Sequence, residues 1–191
     1  MFKRTCKLLS IFIITASSPP IADAKISLSN GDDVVLVGAG MGSRMIHYGH
    51  FETEVYLHHS DLDLKIRNLC DEGNTPGFRP HPSRNQEEQY AFPGAKELIH
   101  ESLKAGTKPK GHFPTPDQWL SNLHAEVILC FFGFNSSFDG PRQAERFKKE
   151  LDAYTKHLNS MPFGQSTPQI VLISPTAVES VPGVTDGRSQ N

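Results

Sequence analysis

The sequence is poor in cysteine, in tryptophan and in charge of a single sign. Its 191 residues include 3 cysteines and 1 tryptophan. So few cysteines exclude the bridge-dense scaffold on which small secreted domains rely. Basic residues number 19 and acidic residues 21, a formal net charge of −2. No basic patch stands out, which argues against nucleic acid as a partner. Long apolar runs are also missing, the longest near the start being residues 8–16, too short for a stable membrane span. The hydrophobic fraction of 37% and the charged fraction of 21% lie below typical globular values but outside the disordered range. The length suffices for one domain with a sizeable core. No internal repeat is visible.

What is present begins with a leader. Lys3, Arg4 and Lys7 precede the short apolar run, and Ala22-Asp23-Ala24 supplies a small-x-small cleavage pattern. In that order these features read as a secretory signal over residues 1–24, leaving residues 25–191 as the exported domain. Cleavage would remove three basic residues and one acid and take the net charge to −4. Of the cysteines, Cys6 leaves with the leader. An oxidising compartment would permit a Cys70–Cys130 disulfide, although Cys130 reads as a small core residue inside an apolar strand.

Along the mature chain, apolar strands alternate with amphipathic segments. Residues 33–37 form a continuous run rich in β-branched side chains, suited to a buried parallel strand. Gly38-Ala39-Gly40-Met41-Gly42-Ser43 follows as a loop. A helix is expected over residues 44–58, burying Met45, Phe51, Val55 and Tyr48. Residues 63–69 alternate polar and apolar and read as a second strand. Residues 70–82 are a long, turn-rich loop, of a length that is usually functional or disordered. A helix over 93–104 would carry Pro93 in its first turn. Thr115-Pro116-Asp117-Gln118 has the form of a capping box, with Trp119, Leu120 and Leu123 facing the core behind it. Residues 126–132 are the third strand, 143–158 an amphipathic helix with Phe147, Leu151, Tyr154 and Leu158 in phase, and 169–174 the fourth strand. This order predicts a three-layer α/β/α sandwich on a parallel, flavodoxin-like sheet, with four strands visible and the domain expected to be incomplete at its C-terminus, where a fifth, edge strand is missing. Ligands of such sheets bind at the carboxyl ends of the strands, here residues 38–43, 70–73, 133–137 and 174–177.

Two readings fit the first of these ends. Gly38-x-Gly40 after a buried strand is a partial dinucleotide-binding fingerprint, with Ser43 where the third small residue belongs. Arg67 and Asn68 stand where that fingerprint has an acid, Asp71 coming later. The other reading uses several strand ends together. Asn68-Leu69 leading through Cys70 to Gly73, and Phe132-Gly133-Phe134-Asn135, resemble the second and third sequence elements of the SGNH (GDSL-type) hydrolases. The resemblance spans roughly residues 31–177 and is closest to a divergent exported branch of that family.

The resemblance implies ester hydrolysis, often of acetyl groups on sugars, or a degenerate form of that activity, with neither cofactor nor metal. It assigns the Gly73 N–H and the Asn135 side-chain amide as oxyanion donors, a role worth several kcal/mol in acyl transfer. It aligns the nucleophile turn on Gly38-Ala39-Gly40 and so puts glycine where the family has serine. Ser43 lies about one helical turn further on, and Cys70 has no evident neighbouring base. The family's Asp-x-x-His is not found after the fourth strand. Asp71, Arg79 and His81, in the long loop bordering the strand ends, are candidates for substrate contact. Taken alone, Gly73 reads equally as a turn glycine and Asn135 as a cap of its own loop. A carbohydrate ester or another small molecule is the expected partner of an enzyme. A non-catalytic accessory module of a larger exported protein is the alternative. The pairs His47/His50 and His58/His59 fall short of the three or four converging ligands that a metal requires.

Overall fold

The computed structural model describes residues 25–100, 113–138, 140–177 and 179–183. The leader expected over 1–24 lies outside them, as does the end of the helix expected to reach 104. Four strands form the sheet: β1 (Asp33–Gly38), β2 (Lys65–Asn68), β3 (Val127–Phe131) and β4 (Gln169–Ile173). Their order is β2-β1-β3-β4 and every pairing is parallel. This is the flavodoxin-like arrangement, in which the chain reverses direction across the sheet at β1 and β3.

The strand sequences explain the layers. β3 is buried along its whole length because it is central and covered on both faces. Val35, Val37, Ile128, Cys130 and Phe132 belong to one cluster, packed with Leu120 of α4 (Pro116–Asn122) and Tyr154 and Leu158 of α6 (Ala144–Ser160). Val34, Leu36, Ile66, Leu129 and Phe131 belong to the opposite cluster. There Met41 of α1 (Gly40–Arg44), Met45, and Phe51 and Val55 of α2 (His50–His58) close over them. The short α3 (Ala95–Leu98) joins the first face through Ala95, and the single turn α5 (Phe134–Ser137) follows β3 directly. Among the described residues no helix is long and apolar enough to cross a membrane.

Two expectations need correction. The helix over 44–58 is instead α1, a 3-10 turn at Met45–His47 and then α2. Gly49, at φ 61°, stops the first and starts the second, so the helical phase is reset and Tyr48 is exposed. The helix expected from Pro93 begins only at Ala95, because Gly94 takes φ 85°, and ends at Leu98, where Ile99 turns extended. Cys70 and Cys130 are both free and buried, packed in clusters on opposite faces of the sheet rather than bonded to each other. By contrast, the capping box stands as read: the Gln118 N–H donates to Thr115 Oγ1 at 3.2 Å, and the Thr115 N–H donates to Gln118 Oε1 at 2.9 Å.

Candidate functional site

The strand ends are tied together through backbone carbonyls. The Gly38 carbonyl accepts from the Asp71 N–H at 2.9 Å and from Asn74 Nδ2 at 3.0 Å, joining the end of β1 to the loop after β2. The Asn74 carbonyl in turn accepts from Asn135 Nδ2 at 3.1 Å, which brings in the turn after β3. Gly38 is required here by geometry. Its φ is 136°, and a Cβ would stand 2.3 Å from the Phe131 carbonyl oxygen. Ala39 follows, buried, with its N–H donating to that same oxygen at 2.8 Å. Gly42 packs so closely on β2's continuation that a Cβ would lie 2.3 Å from Cys70 Sγ.

Two hollows open along this seam. The first, of about 330 Å3, is lined by Gly40, Met41, Arg44, Glu72, Phe134, Asn135, Pro175 and Thr176. It brings together two of the sequence candidates, Gly40 and Asn135. Gly40 opens α1, and a Cβ placed there would meet nothing nearer than Glu72 Cγ at 3.9 Å. The position therefore has room for a side chain and lacks one. The Asn135 amide, the proposed oxyanion donor, is engaged with the Asn74 carbonyl. Gly73 takes φ 87° in an exposed turn and lines neither hollow. Ser43 donates its hydroxyl to the Gly40 carbonyl at 3.1 Å, an ordinary local bond. Burial pushes the Cys70 thiol up to about 12, so it is a poor nucleophile.

The second hollow, of about 290 Å3, gathers the other three candidates, Asp71, Arg79 and His81. Arg79 is only 6% exposed. Its guanidinium carbon lies 4.6 Å from the centre of the Phe132 ring and 5.1 Å from that of Tyr154. Such stacking offsets part of the cost of burying the charge. Its Nη1 donates to the Phe78 carbonyl at 3.3 Å, and its Nη2 has no partner among the described residues. Beside it lies Arg84, equally buried, donating from Nε to the Pro114 carbonyl at 2.7 Å and from Nη1 to the Arg79 carbonyl at 2.8 Å. Burial, and then the Arg79 charge, lower the Arg84 guanidinium to about 10 against a small opposing pull from Glu88. The His81 ring stacks on Phe113 with centroids 3.6 Å apart, and its Nδ1 accepts from the Ser83 N–H at 3.1 Å. Burial and Arg84 lower its imidazole, with Asp71 acting in the opposite sense.

A buried carboxylate holds the loop that presents Arg79. Glu150 of α6, 3% exposed, accepts from Thr75 Oγ1 at 2.5 Å and from the Gly77 N–H at 2.7 Å. The Arg79 N–H then donates to the Gln89 carbonyl at 2.7 Å.

Sequence reading missed Arg84, Asn74 and Phe113 as lining residues and placed Trp119 in the core, whereas Trp119 is half-buried at the wall of the second hollow. The density of arginine, histidine and asparagine in residues 67–85 was the available signal. A dinucleotide reading finds little support at β2, because Asn68, near the place of the ribose-binding acid, donates from Nδ2 to the Gly42 carbonyl at 2.8 Å. His47 and His50 fall either side of the Gly49 break, and His58 faces Glu54 at 3.6 Å. Among the described residues no three His, Cys, Asp or Glu side chains converge as metal ligands. Comparison with known proteins returns no matching family model, no matching curated protein and no matching solved structure.

Proposed function

We propose that this chain is an exported module on the SGNH-hydrolase plan that holds a small ligand, of the esterified-carbohydrate class, at the carboxyl ends of its strands without hydrolysing it. The observation that carries this reading is the first hollow. Where the plan requires an attacking hydroxyl there is Gly40, with open space beside it, and the amide that would meet the oxyanion is bonded to the Asn74 carbonyl. A missing nucleophile removes the covalent route. The leader pattern in residues 1–24 supports export.

The test is turnover. Full-length chain without its leader is offered 4-nitrophenyl acetate and acetylated oligosaccharides beside its Gly40→Ser and Asn135→Ala variants. Wild type is expected to release acetate no faster than buffer. Saturable wild-type turnover that disappears in Asn135→Ala would overturn the proposal and make the protein an esterase with an unforeseen nucleophile.

A further inference from the structure

We propose that the second hollow is a binding site for a carboxylated pyranose, a hexuronic acid, whose carboxylate is taken by Arg79 and Arg84 and whose ring lies along Trp119 and Phe113. The inference rests on the reading of the chain as a ligand-holding module and names the ligand class.

The argument starts from charge. Two guanidinium groups, each on a residue 6% exposed, belong to the lining of one hollow, and among the described residues no carboxylate comes within 4.0 Å of either. Burying one unpaired cation is costly, and a second beside it adds repulsion. The Phe132 and Tyr154 rings compensate in part, but they leave Arg79 Nη2 without an acceptor. A guanidinium matches a carboxylate in both shape and charge, and both arginines line the hollow.

The rest of the lining narrows the anion. Asp71 stands at the same hollow, so its negative charge disfavours a dianion such as a phosphate ester and tolerates a monoanion. Its Oδ1 accepts from the Glu72 N–H at 2.8 Å, which leaves Oδ2 to accept from a ligand hydroxyl. The wall is aromatic, with Phe113 and Trp119 centroids 5.8 Å apart and His81 stacked behind Phe113. Flat aromatic surface beside hydrogen-bonding groups suits a pyranose, which has an apolar C–H face and a hydroxylated edge. A volume of about 290 Å3 admits roughly one monosaccharide.

Trp119 is the chain's single tryptophan, so the wild-type protein reports on its own site. Full-length chain without its leader is titrated with glucuronate, galacturonate, glucose, galactose, inorganic phosphate and acetate while tryptophan emission is followed. A saturable change is expected with at least one hexuronate, with the matching neutral hexose, phosphate and acetate each weaker by about tenfold or more. Arg79→Gln and Arg84→Gln should each weaken the hexuronate about tenfold or more while retaining the far-ultraviolet circular dichroism of wild type. Equal response to glucuronate and glucose, tighter binding of phosphate, or no hexuronate response in wild type would overturn the site. Those wild-type outcomes decide the matter even where an arginine variant does not fold. Acetyl-ester turnover measured on the same samples separates the two proposals. Turnover with hexuronate binding removes the non-hydrolytic reading and keeps the site, whereas silence in both assays removes the site and keeps that reading.

Discussion

Replacing Glu150 by alanine should loosen the loop that carries Arg79, and the size of the effect follows from what the carboxylate touches. Its Oε1 receives the Thr75 hydroxyl at 2.5 Å and the Gly77 N–H at 2.7 Å, both out of contact with water. Each hydrogen bond to a charged acceptor is worth about 1.5–3 kcal/mol net, and a buried N–H left unpaired adds about 1–3 kcal/mol of penalty. Against this, removing a buried charge returns several kcal/mol of desolvation. A net loss of about 3 kcal/mol is expected for Glu150→Ala, and about 1 kcal/mol for Glu150→Gln, which keeps an acceptor oxygen in place. For a chain of this size that corresponds to a drop in Tm of about 6–12 °C for alanine and about 2–4 °C for glutamine. Urea unfolding followed by circular dichroism, with thermal melts in parallel, measures both. Alanine and glutamine variants of equal stability, or an alanine variant within about 0.5 kcal/mol of wild type, would refute the idea that this carboxylate organises the 75–79 turn. The same alanine variant should also respond less to hexuronate, since Arg79 follows the turn directly.

Three further outcomes are expected. Gly42→Ala should destabilise by about 2 kcal/mol or more through overpacking, and by less in a Cys70→Ala background, because the nearest atom to the new methyl is Cys70 Sγ; additive losses in urea unfolding would contradict that contact. Burial raises the Cys70 and Cys130 thiols to about 12, so at pH 8 only about one in ten thousand is thiolate; a disulfide reagent should label the native protein slowly and the urea-unfolded protein at once, and rapid native labelling would refute the burial. The His81 imidazole is lowered below its ordinary 6.5 by burial and Arg84, so the folded state takes up this proton less readily than the unfolded state. Its contribution to stability is then complete above about pH 6.5 and declines as pH falls below that value; an NMR titration midpoint for His81 at or above 6.5 would refute the sign.

How far the sequence spoke differed by element. The first, third and fourth strands were legible because each is a compact block of β-branched or apolar residues closed by glycine or polar residues, and the second because polar and apolar residues alternate along it. Strand two was expected over 63–69 and spans only Lys65–Asn68, since an edge strand needs few paired residues. The capping box at Thr115 was legible because its two hydrogen bonds are local. The break at Gly49 was not, because a glycine at that position is equally compatible with a continuing helix until tertiary packing fixes its φ. Of the site residues, Asp71, Arg79 and His81 were singled out as one loop cluster and do line one hollow. Arg84 and Phe113 were not, because their convergence depends on residues 78–92 folding back through the Phe78–Tyr90 bridge and the bond from Arg84 to the Pro114 carbonyl. No periodicity encodes such a return.

The lacing of the strand ends through the Gly38 and Asn74 carbonyls has a consequence for how such a site can change. Carbonyl acceptors are the same whatever side chain their residue bears. Gly40 and Asp71 can therefore be exchanged for residues of other chemistry while the three strand ends stay in register, provided Asn74 and Asn135 remain to donate. Reactivity and scaffold are carried by different atoms, and a fold arranged in this way can lose one chemistry and acquire another without passing through a disordered intermediate sequence.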